Sequence, residues 1–117
     1  MPDPALTALR DDVVSKLDGL PGLYSKGMFG GYGFWADEKL FFGIADDGRV
    51  FFRTDESNRP AYDEREMSGF QYSVDEPPSD TYREVPSDVL ADPAELLSWA
   101  EEAVEAARRA KATKRRR

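Results

Sequence analysis

Three aromatic runs separated by very short turns constrain the fold of this chain more than any other feature. Residues 28–36, 39–45 and 49–54 read MFGGYGFWA, KLFFGIA and RVFFRT, and their aromatic and β-branched residues favour strands. Asp37-Glu38 and Asp46-Asp47-Gly48 separate these runs, and Asp-Gly between apolar segments is typical of a hairpin turn. We therefore predict an antiparallel three-stranded meander.

Two helices are predicted to flank these strands, and both begin with the same capping chemistry. Asp3-Pro4 and Asp92-Pro93 each place a side-chain acceptor before a proline at the first helical position. In the second helix Glu105 and Arg109 are spaced for an i,i+4 ion pair. Apolar residues recur at helical spacing in both helices: Leu6, Leu9, Val13 and Leu17, and then Leu96, Leu97, Ala100, Val104 and Ala107. We expect each helix to pack one face on the sheet.

The chain between the meander and the last helix is predicted to add a short helix and two strands. Residues 55–66 are typical of a short helix with Ser57 as its cap, and FQYSV at 70–74 alternates as a half-buried strand does. TYREV at 81–85 is predicted to be the fifth strand, and residues 87–90 are predicted to form a helical turn. The predicted element order is α-β-β-β-α-β-β-α, an α+β fold with an antiparallel sheet.

Length and charge divide the chain into one domain and a basic end. A chain of 117 residues fits a single domain, which we place at residues 1–108. Residues 109–117 are predicted to form a disordered tail, and the last ten residues hold seven of the 16 basic side chains. Residues 1–107 carry nine basic and 23 acidic side chains, a net charge of −14. Such a body repels nucleic acid and membrane phosphates, whereas the tail attracts them.

Missing residue types exclude several kinds of site. The chain has no cysteine and no histidine, which removes disulfides, thiolate catalysis, zinc–sulfur sites and the commonest general base. No apolar run reaches the roughly 20 residues of a membrane span, and the acidic N-terminal segment is unlike a secretory signal. We therefore expect a soluble cytoplasmic protein that uses no cofactor, metal or membrane.

The glycine-rich stretch GGYGF at 30–34 allows three interpretations. A phosphate-binding loop needs a helix after the glycines, but here the chain continues through Trp35 into a strand. An RNA-recognition strand needs a basic first residue and an aromatic ring where Asp37 stands. The third interpretation, a strand whose glycines allow close packing, agrees with the surrounding pattern. We predict interior scaffolding, with Phe29, Tyr32 and Trp35 as core or surface anchors according to which strand face is buried.

Carboxylates are the remaining candidates for catalysis, and their placement favours solvated surface. Asp46-Asp47 lies in a predicted turn and Glu101-Glu102 on a predicted helix surface. Neither the first of these pairs nor Asp75-Glu76 has the spacing of a calcium loop, so no catalytic or metal-binding residue is predicted. The basic tail allows two interpretations, of which we favour an incidental or structural role, such as keeping the chain soluble. The alternative is a weak, salt-dependent polyanion contact through Lys111, Lys114, Arg115, Arg116 and Arg117.

Several short motifs in combination resemble one family, that of the TfoX N-terminal domain. The resemblance covers roughly residues 5–108, and the stretches 82–86 and 92–100 within that range contribute to it. Its most specific residues are Met28, Phe29, Gly30, Gly31 and Gly33 in the first predicted strand, Asn58 and Arg59 in the central helix, and Trp99 in the last helix. These residues are expected to serve structure or interaction.

The resemblance implies an α-β3-α-β2-α fold, similar to that of secretion-chaperone-like proteins. The competence regulator that names the family carries a further C-terminal domain, whereas we expect a stand-alone N-terminal domain here. The implied function is a non-enzymatic protein-interaction or regulatory module with an unidentified protein partner. A homodimer is also expected, since proteins of this fold often dimerise through sheet or helix faces. Two alternatives stay open, a nucleic-acid accessory protein acting through the basic tail and an enzyme built on carboxylates.

Overall fold

The computed structural model describes residues 4–28, 31–36, 39–45, 47–71 and 75–115. Within these ranges the chain forms helices and strands with the following bounds: α1 at Pro4–Lys16, β1 at Tyr24–Met28, β2 at Gly31–Ala36, β3 at Lys39–Ile44, β4 at Val50–Arg53, α2 at Arg59–Glu64, β5 at Tyr82–Glu84, α3 at Ser87–Ala91 and α4 at Pro93–Arg115.

The strands form one antiparallel sheet in the order β1-β2-β3-β4-β5, so that chain neighbours are also spatial neighbours. At the β5 edge the Phe70 amide donates to the Tyr82 carbonyl over 2.8 Å, and the Glu84 amide donates to the Ser68 carbonyl over 2.8 Å. These bonds satisfy outer backbone groups of β5. In the described part of the chain β1 therefore remains the uncovered edge strand.

One face of the sheet packs against the helices and forms the core. Phe34, Phe42 and Phe52 lie side by side on β2, β3 and β4, with neighbouring ring centroids 3.9 Å and 4.9 Å apart. All three side chains are fully buried, and each contributes about 2 kcal/mol or more through burial. The aromatic runs therefore supply the centre of the core, although Phe51 and Trp35, which were also expected to contribute, lie outside this cluster.

The sequence has two Phe-Phe dipeptides, Phe41-Phe42 and Phe51-Phe52, and their side chains are oriented differently relative to this core. The β2–β3 register shifts after Phe34, which leaves Phe41 as an extra residue in β3. This bulge lets Phe41 enter the core beside Phe42, with ring centroids 4.6 Å apart. In β4 the alternation is regular, so Phe52 faces the core and Phe51 faces the opposite side of the sheet.

The predicted α+β class with a five-stranded antiparallel sheet is confirmed, but the element order needs a correction. The structure has the order α-β-β-β-β-α-β-α-α. The prediction missed β1, YSKGM, because serine, lysine and glycine have weak strand propensity. Pairing with β2 holds this strand instead, and it stacks the Tyr24 ring on the Trp35 ring.

The predicted strand at 70–74 is wrong where the structure describes it. Phe70 and Gln71 lie outside the strands, and residues 72–74 lie outside the described residues. The Ser79 amide donates to the Phe70 carbonyl over 2.8 Å, and a Cβ on Gly69 would lie 1.7 Å from the Ser79 carbonyl oxygen. The returning chain near Ser79 thus takes the place that a longer strand would need.

The cap of the last helix follows the prediction. Asp92 Oδ1 accepts hydrogen bonds from the amides of Ala94 at 3.0 Å and Glu95 at 3.3 Å, which satisfies two of the free donors of the first turn. The helical turn predicted at 87–90 is present as α3. The predicted cap at Asp3 lies outside the described residues.

The basic end is helical rather than disordered as far as Arg115. The Arg109 guanidinium donates to both carboxylate oxygens of Asp55, at 2.6 Å and 3.1 Å. Glu105, its predicted partner, accepts two hydrogen bonds from Arg108, and its negative charge also helps to raise the pKa of Arg109. Arg109 and Asp55 are 54 positions apart, so no local pattern could have predicted their contact.

Candidate functional site

The sheet face opposite the helices, called the open face below, carries the candidate site. The buried side chains of α1, α2, α3 and α4 all belong to the hydrophobic core, which lies on the other face of the sheet. A single register row, called the central row, crosses the open face from β1 to β5: Lys26, Gly33, Gly43, Phe51 and Glu84. Alternation along the strands places further side chains on this face: Tyr24, Trp35, Leu40, Arg49, Arg53 and Tyr82.

A groove of about 480 Å³ lies over the glycines of the central row. Gly33 and Gly43 form part of its floor, and Leu40, Phe51 and Tyr82 contribute apolar surface to its lining. Because the glycines carry no side chain, the backbones of β2 and β3 lie at the bottom and larger side chains rise on both sides. The result is a largely apolar trough that runs along the strands.

On the β1 side of the open face, beside the groove but outside its lining, two aromatic rings lie next to a cation. The Tyr24 and Trp35 rings stack with centroids 5.6 Å apart and an interplanar angle of 8°. Lys26 Nζ lies 6.0 Å from the first centroid and 5.9 Å from the second. Tyr24 is 43% exposed, the one large hydrophobic side chain that is exposed among the described residues. An exposed aromatic ring stacked on a second ring beside a cation is typical of contact surfaces.

The β4 rim of the groove carries a paired charge. Phe51 is only 3% exposed, because the Phe70 ring packs on it at 5.2 Å and the Arg49 guanidinium lies 5.3 Å from its centroid. Arg49 contacts Asp47 at 2.9 Å and Glu84 at 3.7 Å. Burial alone would raise the pKa of Asp47, but the hydrogen bonds from Arg49 outweigh it and lower that pKa. The rim therefore stays ionised at neutral pH.

The glycine motif serves close packing, in agreement with the predicted scaffolding. A Cβ on Gly31 would lie 1.9 Å from the Ile44 carbonyl oxygen, so no residue with a side chain fits there without a backbone shift. Met28 ends β1 opposite Gly31. Gly33 belongs to the groove floor, and Gly30 lies outside the described residues.

The three predicted anchors separate into different environments. Tyr32 is a core residue with 6% exposure, and its hydroxyl shares a 3.0 Å hydrogen bond with the Thr7 hydroxyl of α1. Trp35 is half-buried on the open face, and Phe29 lies outside the described residues. The scaffolding interpretation therefore holds for the Tyr32 face of β2, while the Trp35 face forms the candidate site.

Asn58 and Arg59 lie at the start of α2, away from the groove lining. Asn58 is 4% exposed; its side-chain oxygen accepts from the Asp55 amide at 2.8 Å, and its amide group donates to the Arg53 carbonyl at 3.1 Å. It occupies the N-cap position where Ser57 was predicted. Asn58 thus closes the turn between β4 and α2, which is a structural role.

Trp99 is likewise part of the packing between helices. Its ring meets Tyr62 of α2 edge-on with centroids 4.8 Å apart, and the Arg65 guanidinium lies 5.5 Å from its centroid. The structure therefore distributes the family motif between the sheet, the β4–α2 turn and the helix layer, and does not gather it into one site.

The predicted polyanion contact falls on the end of α4. Lys111, Lys114 and Arg115 lie on its last helical turns, whereas Arg116 and Arg117 lie outside the described residues. A polyanion contact here stays a prediction.

Two carboxylates, Asp55 and Asp88, have pKa values shifted in the direction opposite to that of a general acid. Hydrogen bonds from Arg109 hold the pKa of Asp55 well below its usual range, and Arg65 lowers the pKa of Asp88 in the same way. A general acid at neutral pH needs a raised pKa instead. Within the described ranges, no group of three acidic side chains is arranged to hold a metal ion.

Tyr24, Lys26 and Arg49 are site residues that the sequence-based reasoning missed. Tyr24 and Lys26 are two positions apart, a spacing that places both on one face of a strand. That signal is visible only once the segment is known to be a strand. The stacking of Tyr24 on Trp35 depends on pairing between strands.

Fold and site together define a small α+β domain whose antiparallel sheet has helices on one face and an apolar groove on the other. The chain matches the TfoX N-terminal domain over residues 15–107, most of its length, and it belongs to that family. A search of curated proteins finds no match. In the part of the chain that the structure describes, every helix is too short or too polar to span a bilayer.

Proposed function

We propose that this chain is a non-enzymatic protein-interaction or regulatory module whose contact surface is the open face. Membership of the TfoX N-terminal domain family supports a regulatory or interaction module in general. The composition of the open face supports this surface as the place of contact.

The apolar character of the open face is the observation that carries the proposal. An antiparallel sheet with one solvated face usually alternates apolar side chains toward the core with polar side chains toward water. Here outward positions of β2, β3 and β4 are occupied by Gly33, Trp35, Leu40, Gly43 and Phe51. An apolar surface bordered by charged side chains is typical of a contact site.

The polar groups at the groove favour a macromolecular contact over a reaction centre. Arg49 pairs with Asp47 and Glu84 on its own rim instead of pointing at a common point in the groove. A small-molecule site usually has a few polar groups that converge on the ligand. The groove therefore offers area and shape more than chemistry.

Site-specific photo-cross-linking in cells tests this proposal. A photoreactive phenylalanine analogue at Tyr24 is expected to give discrete protein adducts, which Trp35→Ser should reduce about tenfold because it removes a central anchor. The same analogue at Glu101, exposed on α4, is the matched control and should give no such adducts. Equal adducts at both positions, or none at Tyr24, would contradict the proposal.

A further inference from the structure

We infer that the occupant of the open face is a second copy of this chain, packed face to face about a two-fold axis that runs parallel to the strands above β3. This inference rests on the proposed function, because it takes the open face to be a contact surface and names what covers it. A two-fold interface must be complementary to itself. The open face meets that requirement in charge, in size and in aromatic pairing.

The charges of the central row are arranged for self-pairing. Lys26 lies at its β1 end and Glu84 at its β5 end. Rotation about the stated axis lays β1 of one copy over β5 of the other, so each lysine faces the other copy's glutamate. The chain carries a net charge of −7, so two copies repel each other at long range, and these two opposite-charge contacts favour one register over others.

The sizes of the side chains along the same row are also complementary. The rotation lays β2 over β4, so Gly33 of one copy faces the raised β4 rim of the other, where Phe70 covers Phe51. Gly43 lies closest to the axis and faces its own counterpart, where any side chain would be met by a copy of itself. A bulky rim thus enters a glycine trough on both sides of the axis.

A second contact between the copies involves Trp35 and Arg53, which lie two residues beyond Gly33 and Phe51 of the central row. β2 and β4 run parallel, so Trp35 and Arg53 lie at the same height and face each other in the pair. Arg53 lies 5.5 Å from the Tyr82 centroid, and its Nε is buried with no hydrogen-bond partner within the described ranges. Stacking on Trp35 of a second copy would give this guanidinium a second ring.

The dimensions of the face predict a weak pair. Five strands about 4.8 Å apart and about five residues long give a face roughly 20 Å by 17 Å. Counted over both copies this is roughly 700 Å², which is below the usual range of stable specific interfaces and fits only a weak, transient contact. We therefore expect a reversible dimer with a dissociation constant of about micromolar magnitude.

Charge reversal tests the register directly. Lys26→Glu and Glu84→Lys each place like charges opposite one another at both ends, and each is expected to weaken association at least about tenfold in sedimentation experiments. The double variant restores both pairs between the copies and should recover most of the association, although it loses the contact of Glu84 with Arg49 inside each chain. Since it has the wild-type net charge, a general charge effect cannot explain that recovery. Glu101→Lys, a reversal on the outer surface of α4, is the matched control and should leave association unchanged.

Cross-linking provides a second measurement that tolerates a loss of affinity. The chain has no cysteine, so Lys26→Cys combined with Glu84→Cys gives two defined attachment points. Within one copy these points are about 19 Å apart, whereas packed sheets lie about 10 Å apart. A bis-maleimide reagent with a spacer of about 10 Å should therefore link two chains in the double variant and in neither single variant.

Each outcome separates this inference from the proposed function. A chain that stays monomeric at all concentrations, or a dimer indifferent to both reversals, overturns the second-copy occupant. If Tyr24 still cross-links to another protein in that case, the contact surface stands and its occupant is different. If neither self-association nor such an adduct is found, both the inference and the proposed function fail.

Discussion

Arg109 on α4 and Asp55 after β4 form a two-point ion pair that ties the basic end of the chain to the domain. Arg109 Nε donates to Asp55 Oδ2 at 2.6 Å and Nη2 donates to Oδ1 at 3.1 Å, while Nη2 also reaches the Ser57 hydroxyl at 2.7 Å. The Ser57 amide completes the site by donating to Asp55 Oδ1 at 2.9 Å. Asp55 therefore links the β4–α2 turn to the last helix, and it accepts more hydrogen bonds as a carboxylate than it could when protonated.

This pair predicts an acid-sensitive contribution to stability. The pKa of Asp55 is lower in the folded chain than the value of about 3.9 expected when unfolded, so its contribution is complete above that value and is lost as pH falls through the folded pKa. Asp55→Asn should lower the free energy of unfolding by about 1 kcal/mol at neutral pH, a modest value because half of the Arg109 side chain is exposed. Urea unfolding over a pH series should show the difference shrinking below about pH 4. Asp11→Asn, at an exposed pair, is the control, and a difference that does not vary with pH would contradict the prediction.

Gly31→Ala is predicted to be strongly destabilising, because the new Cβ would lie 1.9 Å from the Ile44 carbonyl oxygen. Relief requires the β2 and β3 backbones to move apart, and we expect a loss of at least about 3 kcal/mol in the free energy of unfolding. Gly27→Ala on the neighbouring β1 is the matched control, since the nearest atom would be 4.0 Å from the added Cβ. Equal effects of the two substitutions in denaturant unfolding would contradict the close packing.

Two tyrosines are predicted to respond in opposite directions to removal of the hydroxyl. Tyr62 is fully buried, and its hydroxyl has no hydrogen-bond partner within the described ranges, so Tyr62→Phe should be neutral or raise the free energy of unfolding by up to about 1 kcal/mol. Burial also raises the pKa of Tyr62 above its ordinary value. Tyr32→Phe removes the bond to Thr7 and should cost about 1 kcal/mol. Thermal unfolding of both variants measures the contrast, and a loss of stability in Tyr62→Phe would indicate a missed partner.

Deleting residues 111–117 tests the predicted polyanion contact. The deletion removes five of the 16 basic side chains but keeps Arg109, so the tie to Asp55 remains and the domain should stay folded. The full chain is expected to retard DNA weakly, with an affinity that falls steeply with salt, and the shortened chain should not retard it at all. Gel shifts at several salt concentrations measure both effects. Absence of binding by the full chain at low salt would exclude the nucleic-acid alternative.

Sequence reasoning reached the α+β class, the aromatic core and the Asp92 cap because each depends on neighbours a few residues apart. It missed β1, whose residues have weak strand propensity and depend on pairing with β2. It also placed a strand at 70–74, where the alternation is strand-like but the chain near Ser79 occupies the space. It predicted a disordered tail from residue 109, whereas α4 continues to Arg115. It also missed the contact of Arg109 with Asp55, because the two residues are far apart in sequence.

The sequence by itself determined the strand alternation, the short turns and the absence of histidine and cysteine, because these follow from residue type and spacing alone. Alternation puts Tyr32 and Trp35 on opposite sides of β2, but it does not say which side the helices cover. Only the tertiary structure decided that Tyr32 is interior, that Tyr24 stacks on Trp35 on the outward face, and that Gly33 and Gly43 lie under a groove there. The physical reason is that burial depends on which distant segments pack together, and a period of two is the same whichever face they choose.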